Sequence, residues 1–322
     1  MNRITVQRLY HDLREALDLS PLTPLPEGDI PVPVRDVHRP GMALMGYADN
    51  FLPHRLQLMG ESETAYLIGL AAAEQVAAFS RVLDLQAPAI FVARGQPLPT
   101  ALLELAGARG VPLLQTSLSS VDFLEELTQH LLDLFAPRTE VHGSLADVYG
   151  VGLLFTGRSG IGKSECVLDL VERGHRLVAD DVVEIVKRGD DVIVGRFREV
   201  LQHNIEIRGV GVIDVQAIFG IKAIRMQKRI EVEVHLQDWD ENADYERLGL
   251  ERQYTHILGV AIPRVVVPIF PGKNITVIAE VIALDFMLKI YGYDAAQALN
   301  RRILETMKPG SNLNRYLRHD NE

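Results

Sequence analysis

The stretch GRSGIGKS, residues 157–164, decides how the rest of the chain is interpreted. Two glycines, a lysine and a serine stand in it at the spacing of a phosphate-binding loop. An apolar run at 151–155 precedes the loop, and a helical pattern that ends near Gly174 follows it. The apolar positions of that pattern share one helical face: Cys166, Val167, Leu170 and Val171. Strand, loop and helix therefore follow in the required order, and the sequence predicts a phosphate site.

Each residue type in this loop has a physical task. Gly157, Gly160 and Gly162 allow a tight backbone curl with inward-pointing N–H groups, and the start of the helix adds partial positive charge. Lys163 would neutralise β- and γ-phosphate charge, while the Ser164 hydroxyl would complete the shell of a Mg²⁺ ion. The alternative is a glycine turn before a surface helix, which requires the lysine, the serine and the strand to coincide by chance.

A pair of carboxylates follows the loop in HRLVADDVVEI, residues 175–185. A strand-like run ends there in Asp180 and Asp181, and acidic residues at a strand's end can hold Mg²⁺ through water or accept a hydroxyl proton. Because successive strand side chains point to opposite faces, only one would face the phosphate unless the strand has already ended. Such a pair is also typical of a turn or a helix cap.

Three further positions are weaker candidates. His142 precedes the loop on a predicted strand and would lie beside the nucleotide, although a strand histidine is often simply half-exposed. Glu206 and Arg208 alternate on a strand before two glycines that leave room for close backbone approach. Arg247 offers the planar charge that phosphoryl transfer requires, but its default place is the surface. Glu206 and Arg208 also fit a purely architectural role.

Length and composition restrict the class of protein. The 322 residues, 47% of them apolar, are too many for one ordinary compact unit, so two domains are expected. Lys and Arg number 33 against 43 Asp and Glu, and the net charge of −10 argues against a nucleic-acid partner. The single cysteine, Cys166, excludes an intrachain disulfide framework and favours a reducing, cytoplasmic location. The charged N-terminal stretch argues against a signal peptide. The absence of a long apolar run argues against a membrane partner.

A domain boundary is expected near Pro137, where proline interrupts a helical pattern. We predict an N-terminal α/β domain at 1–136, with a role in assembly or regulation, and a P-loop catalytic domain at 137–322. The helix before the boundary begins with Ser119 and Asp122 as caps. Five of its apolar residues are expected to pack: Val121, Leu124, Leu127, Leu131 and Leu134.

Two patterns in the second domain predict secondary structure. Strict alternation in IEVEVHL, residues 230–236, indicates a half-buried strand with two glutamates and a histidine on its second face. An apolar helix is expected at 280–290, ended by Gly292, and Asp294 would cap a further helix that runs to Pro309.

Together these motifs resemble the HPr kinase/phosphorylase family, bifunctional regulators of the carrier protein of the bacterial sugar phosphotransferase system. The similarity covers the whole chain and is most specific between His142 and Lys273. Six segments carry it in order: VHG at 141–143, GRSGIGKSE at 157–165, GHRLVADD at 174–181, EIRGVGVIDV at 206–215, YERLG at 245–249 and PIFPGK at 268–273. A general phosphate loop would not predict the other five.

The resemblance implies a fold and a reaction. The fold class is α/β, with a small N-terminal α/β domain and a C-terminal P-loop kinase domain like that of the phosphoenolpyruvate carboxykinases. The enzyme would transfer the γ-phosphoryl group of ATP, with Mg²⁺, to a serine of an HPr-type phosphocarrier protein. In the reverse direction inorganic phosphate would attack the phosphoserine and pyrophosphate would leave. The family is homo-hexameric, and the late helices would help to dock the carrier.

The family's functional residues are assigned only to matching positions of this chain. The active-site set would be His142, Lys163, Asp181 and Arg247, with Asp181 as the base toward the target serine and the acid in the reverse direction. Ser164 and Glu206 would be magnesium ligands. ATP would be bound by the whole loop: Gly157, Arg158, Ser159, Gly160, Ile161, Gly162, Lys163 and Ser164.

Two further segments correspond to functional parts of the family. Residues 205–214 are similar to a segment that both activities require. The stretch 268–273 resembles one tied mainly to phosphorolysis, and Phe270 stands there where some members carry a basic residue.

Two other functions stay open from the residues alone. A P-loop kinase of a small metabolite would use the same loop and aspartate but would close a lid over its substrate. A non-catalytic ATP-sensing module would need only the loop, and it would leave His142, Asp181, Glu206 and Arg247 without a task.

Overall fold

The structure is a computed structural model, and it describes residues 4–47, 52–198, 203–241, 252–270 and 272–306. The chain divides into two compact units, Met1–Ala136 and Pro137–Glu322. Apolar side chains of each unit form clusters of their own. In the described part of the chain, no helix is both long and apolar enough to cross a lipid bilayer.

The first unit is a five-stranded sheet with helices on both faces. Its strands are β1 (Leu19–Pro21), β2 (Val37–His38), β3 (Leu56–Met59), β4 (Ile90–Val92) and β5 (Leu113–Thr116). Its helices are α1 (Val6–Leu13), α2 (Gly41–Leu44), α3 (Glu61–Gly69), α4 (Ala72–Leu83), α5 (Thr100–Ala108) and α6 (Ser120–Phe135). The strand order is β1-β5-β4-β3-β2, in which β2 to β5 are parallel and β1 is antiparallel. Two apolar clusters cover the two faces, and the predicted α/β class is confirmed.

Helix α6 follows its predicted pattern in part. Ser119 Oγ accepts a hydrogen bond from the Asp122 backbone N–H at 3.2 Å, so the predicted cap is confirmed. Leu127 and Leu131 are buried as expected. The prediction for Val121 is wrong, because this side chain is 73% exposed. At 3.6 residues per turn it lies across the helix from Phe123, which is buried and fixes the packing face.

The second unit is built mainly from strands. They are β6 (Arg138–His142), β7 (Ser144–Val148), β8 (Val151–Thr156), β9 (Arg176–Ala179), β10 (Val182–Arg188), β11 (Val192–Phe197), β12 (Asn204–Ile207), β13 (Gly211–Asp214), β14 (Gln227–Arg229), β15 (Val232–Asp238), β16 (Gln253–Ile257) and β17 (Val260–Ile269). The helices are α7 (Lys163–Glu172), α8 (Val215–Phe219), α9 (Ile275–Ile290) and α10 (Ala295–Thr306). The end that was predicted for the last helix, at Pro309, lies outside the described residues.

Two sheets of the second unit pack against each other. The larger has the order β16-β17-β15-β8-β7-β9, with β8, β15 and β17 parallel at its centre. The smaller is antiparallel with the order β14-β11-β10-β6, and β12 and β13 form a separate hairpin. Phe155 of β8 clusters with side chains of α7 and α9, whereas its neighbour Leu154 clusters with the smaller sheet. The central strand is therefore buried on both faces, and its carboxyl end leads into the glycine-rich loop.

Strand β15 contradicts the expected half-buried strand. It lies between β8 and β17, and Glu233, assigned by alternation to the second face, is only 7% exposed. Glu233 stands opposite Leu154 in the ladder, on the face that the smaller sheet covers. The Thr156 hydroxyl donates to Glu233 Oε1 at 2.6 Å, which compensates part of the cost of burying that carboxylate.

Candidate active site

The glycine-rich loop has the backbone geometry that only glycine adopts without penalty. Gly157, Gly160 and Gly162 have φ values of 137°, 76° and 101°. A Cβ on Gly157 would lie 2.4 Å from the carbonyl oxygen of Leu236, so the loop leaves β8 in close contact with β15. Helix α7 begins at Lys163 with Gly162 as its N-cap. The loop therefore joins a buried strand to a helix N-terminus, the setting in which backbone N–H groups bind phosphate.

Lys163 is held across this loop by main-chain oxygens. Its Nζ donates to the carbonyls of Gly157 at 3.2 Å and Arg158 at 3.1 Å. Within the described residues no carboxylate forms an ion pair with it. The Arg158 guanidinium, by contrast, donates two hydrogen bonds to Asp238, from Nε at 2.5 Å and from Nη2 at 2.7 Å. The lysine thus keeps its charge free for a ligand, and the arginine does not.

Asp180 contacts the loop directly. Its Oδ1 accepts hydrogen bonds from the Ser164 hydroxyl at 3.0 Å and from the Ser144 hydroxyl. Burial raises the pKa of Asp180, and the hydrogen bonds from these serines and from the backbone N–H groups of Asp181 and Glu206 oppose that rise. Sequence reasoning left the role of this residue open, because alternation along a strand does not say which of two adjacent carboxylates faces the loop.

Asp181 has a different environment from its neighbour. Because β9 ends at Ala179, both aspartates lie in the connection to β10, and Asp181 adopts a left-handed φ of 65° with its side chain exposed. Its carbonyl accepts the Gly143 N–H at 3.0 Å. His142 is exposed at the end of β6 and stands opposite Val182 in the β6–β10 ladder. The structure thus brings His142 and Asp181 together beside the buried Asp180.

The β12–β13 hairpin brings a second basic group to the loop. The Arg208 guanidinium lies against Gly160, where an added Cβ would be 2.4 Å from Nη1. Its Nη2 donates to Ser159 Oγ at 3.4 Å. The side chain of Glu206 is exposed on the same hairpin. The only sequence signal for this contact was the alternation of the two charged residues before paired glycines, which does not specify what the hairpin packs against.

The oxygen donors near the loop fit a magnesium ion that is shared with a nucleotide. The described residues contain no cluster of three or more His, Cys, Asp or Glu side chains able to enclose a metal. Mg²⁺ is typically bound through one or two carboxylates, and phosphate oxygens and water complete its shell. Ser164, Asp180 and Glu206 supply a donor set of that kind.

Of the two remaining predicted segments, the structure describes most of 268–273 and none of 245–249. Arg247 and the whole stretch 245–249 lie outside the described residues. Phe270 follows β17 and contacts the Trp239 ring edge-on, with 5.6 Å between the ring centres. Lys273 Nζ lies 5.3 Å from the centre of the Phe270 ring and donates to the Pro268 carbonyl at 2.6 Å. Partial burial lowers the pKa of Lys273.

Comparison with known proteins agrees with the resemblance across both units. The family model for the HPr serine kinase N terminus matches residues 4–131, and the model for the HPr serine kinase C-terminal domain matches 133–303. The HPr kinase/phosphorylase of Chloroherpeton thalassium is 45% identical over 328 residues, which covers 99% of this chain and 96% of the relative. That of Prosthecochloris aestuarii is 45% identical over 327 residues, with the same coverage of 99% and 96%.

A solved structure of the Hpr(Ser) kinase/phosphatase from Coxiella burnetii is also similar. It is 31% identical, and the match covers 50% of this chain and 98% of the other, with a TM-score of 0.46. The family models together match nearly the whole chain, and the two relatives match it over 99% of its length. The chain belongs to the HPr serine kinase family.

Proposed function

We propose that this chain is a bifunctional protein-serine kinase and phosphorylase that acts on an HPr-type phosphocarrier protein. The observation that carries the proposal is the phosphate loop, in which Lys163 has no carboxylate partner among the described residues and Ser164 is bonded to Asp180. Family membership over both units gives the class of the protein substrate. Regulation of carbon metabolism is the role that follows from this substrate.

ATP is the proposed phosphoryl donor, bound by residues 157–164. The inward backbone N–H groups and the α7 N-terminus would bind its phosphates. Lys163 would exchange its two carbonyl bonds for phosphate oxygens, which is favourable because an ionised acceptor makes the stronger hydrogen bond.

Magnesium is the proposed metal, held by Ser164 and Glu206. When bound, it would neutralise part of the charge on the β- and γ-phosphates. Asp180 would orient the Ser164 hydroxyl, and its hydrogen bond from the Glu206 N–H would fix the β12–β13 hairpin beside the loop.

In the kinase direction, the hydroxyl oxygen of the carrier's serine attacks the γ-phosphorus. The bond from that phosphorus to the bridging oxygen breaks, ADP leaves, and the serine proton passes to Asp181. The exposure of Asp181 makes it accessible to a folded protein substrate, whereas buried Asp180 is not. His142 and, outside the described residues, Arg247 complete the proposed active-site set.

In the phosphorylase direction, an oxygen of inorganic phosphate attacks the phosphorus of the phosphoserine. The bond from phosphorus to the serine oxygen breaks, and Asp181 returns the proton to that oxygen. Pyrophosphate and the unmodified carrier are the products.

Mass spectrometry of the carrier tests this function. The full chain, ATP, Mg²⁺ and an HPr-type carrier should yield phosphoserine, and the phosphorylated carrier with inorganic phosphate should yield pyrophosphate. Phosphate that appears only on small metabolites would replace the proposal by a metabolite kinase. ATP binding without transfer to any acceptor would replace it by an ATP-sensing module.

We further propose that the chain assembles as a homo-hexamer, with the N-terminal unit in assembly or regulation. Exposed apolar side chains on α9 and α10 are available for contact with other copies of the chain or with the carrier: Val281, Leu284, Leu288, Leu299 and Ile303. Light scattering on the eluting full chain checks the mass, and a monomer would contradict this assembly. A cytoplasmic location stays a prediction.

A further inference from the structure

Arg208 is the basic residue at the loop that the proposed function does not use. It follows β12 at the tip of the β12–β13 hairpin and is exposed to solvent. Its guanidinium lies against Gly160, on the phosphate loop itself. A residue with a Cβ at position 160 would displace that guanidinium, so the glycine serves this contact as well as the turn.

Among the described residues, no carboxylate is bonded to the Arg208 guanidinium. In the parts of the chain that the structure describes, its polar partner is the Ser159 hydroxyl, at a long 3.4 Å. Arg158, the other arginine at the loop, is bound on two nitrogens by the Asp238 carboxylate. Of the two guanidinium groups at the loop, that of Arg208 is therefore the one available to an anion.

The base of the hairpin is fixed although its tip is exposed. Ile205 of β12 and Val215, which follows β13, are fully buried in the core cluster that also contains the α7 side chains. The backbone N–H of Glu206 is bonded to the Asp180 carboxylate, which is bonded in turn to Ser164. The hairpin is therefore anchored to the core that supports the loop, and this anchoring fixes the position of Arg208 beside the loop.

We propose that Arg208 binds the terminal phosphoryl group: the γ-phosphate of ATP in the kinase direction and the same phosphoryl group in transit in the reverse direction. This inference rests on the proposed function. A guanidinium offers two parallel N–H donors to phosphate oxygens and stabilises the charge of a loose phosphoryl-transfer transition state. Breaking the long bond to Ser159 costs little, because that bond is at the limit of hydrogen-bond geometry.

Contact between Arg208 and the γ-phosphate would affect the affinities for ATP and ADP differently. A group that contacts the γ-phosphate contributes to the affinity for ATP and contributes nothing to the affinity for ADP. A group that only supports the fold of the loop contributes to both.

Titration calorimetry of the full chain with Mg²⁺ tests this difference, with ADP and a non-hydrolysable ATP analogue as the two probes. Arg208→Gln should weaken the ATP analogue about 10–100-fold, the loss expected for one hydrogen-bonding group toward a charged partner. Its affinity for ADP should stay within about twofold, the scatter of surface substitutions. Arg196→Gln, whose guanidinium is bonded to Glu184 on the smaller sheet, is the matched control and should change neither affinity.

Rates in both directions give the second measurement. Arg208→Gln should lower phosphoryl transfer to the carrier and phosphorolysis by similar factors, and Arg208→Lys should recover part of each. Equal weakening of ADP and the ATP analogue, or no weakening of either, would overturn the inference while the proposed function stands. If the unmodified chain bound neither nucleotide, the proposed function would fail and this inference with it.

Discussion

The cations at the two ends of strand β8 and helix α7 differ in their bonding partners. At the end away from the loop, Arg173 Nε and Nη2 donate to the two oxygens of Glu280 at 2.8 and 2.7 Å, and His175 Nε2 lies 3.1 Å from Glu280 Oε1. Arg225 is likewise paired with Asp147 at 2.6 Å. At the loop end, Arg158 is also paired, with Asp238, but Lys163 is bonded to carbonyls and Arg208 to a hydroxyl.

This difference teaches which charges hold the fold and which serve a ligand. A cation paired with a buried carboxylate is already neutralised, and removing one partner leaves the other uncompensated. A cation bonded only to neutral oxygens keeps most of its field and can exchange those bonds for phosphate. Substitutions at the loop end should therefore change rates, and substitutions at the far end should change stability.

The largest expected effect is that of Asp181→Asn on phosphoryl transfer. The amide cannot take the serine proton, so the initial rate of carrier phosphorylation should fall about 10²–10⁴-fold. The melting temperature should stay unchanged, because Asp181 is exposed. Asp191→Asn, at an exposed turn, is the control and should transfer normally. Unchanged transfer in the Asp181 variant would remove this residue from the base role.

Lys163→Met should have the next largest effect. Loss of the ammonium removes charge stabilisation at the β- and γ-phosphates, and kcat/KM for ATP should fall about 10²–10³-fold. Lys187→Met is the matched control, since Lys187 Nζ also donates to a carbonyl, that of Leu258, far from the loop in sequence. A large loss of melting temperature in the Lys163 variant, or an equal loss of rate in both variants, would contradict the separation of the two ends.

Glu280→Gln tests the far end. The variant removes the charge that compensates Arg173, and a lost buried hydrogen-bonding partner costs about 1–3 kcal/mol. For a unit of the size of Pro137–Glu322, this loss corresponds to a decrease in melting temperature of about 2–12 °C, measurable by calorimetry. Transfer to the carrier below the melting temperature should stay within about twofold. A loss of activity without a loss of stability would place this carboxylate in the reaction.

The smallest expected effect is the pH dependence of the stability that Glu280 contributes. The pKa of Glu280 is lowered to about 2, chiefly by its hydrogen bond from Arg173. A carboxylate with a depressed pKa in the folded state stabilises the protein above its unfolded pKa of 4.5, and that contribution disappears as the pH falls toward 2. Urea unfolding should therefore show the largest gap between the unmodified chain and Glu280→Gln near neutral pH and a shrinking gap below about pH 4.5. A gap that widened on acidification would contradict this assignment.

Local patterns predicted the loop and the helix after it. The buried face of α7 is the predicted one, at Cys166, Val167, Leu170 and Val171, because strand, glycines and helix are adjacent in sequence. The burial of Glu233 was not predictable, since the smaller sheet that covers it comes from distant segments. The contact of Arg208 with Gly160 was missed for the same reason, as the two residues belong to different elements.

Asp180 and Asp181 show how much a sequence pattern can predict within a single motif. Their position after β9 was predicted, but which of them contacts Ser164 depends on where the strand ends and on the left-handed φ of Asp181. Neither feature leaves a signal in the periodicity. Similarly, Val121 fits the spacing of an apolar stripe but lies outside the face that Phe123 sets.

Hydrogen exchange of the full chain with and without ATP and Mg²⁺ compares the ligand-binding end of β8 and α7 with the ion-paired end in one experiment. The backbone N–H groups at 157–164 should exchange more slowly when nucleotide is present, and exchange at 173–176 should stay unchanged. Protection confined to 173–176, or no protection at either end under saturating nucleotide, would contradict this prediction.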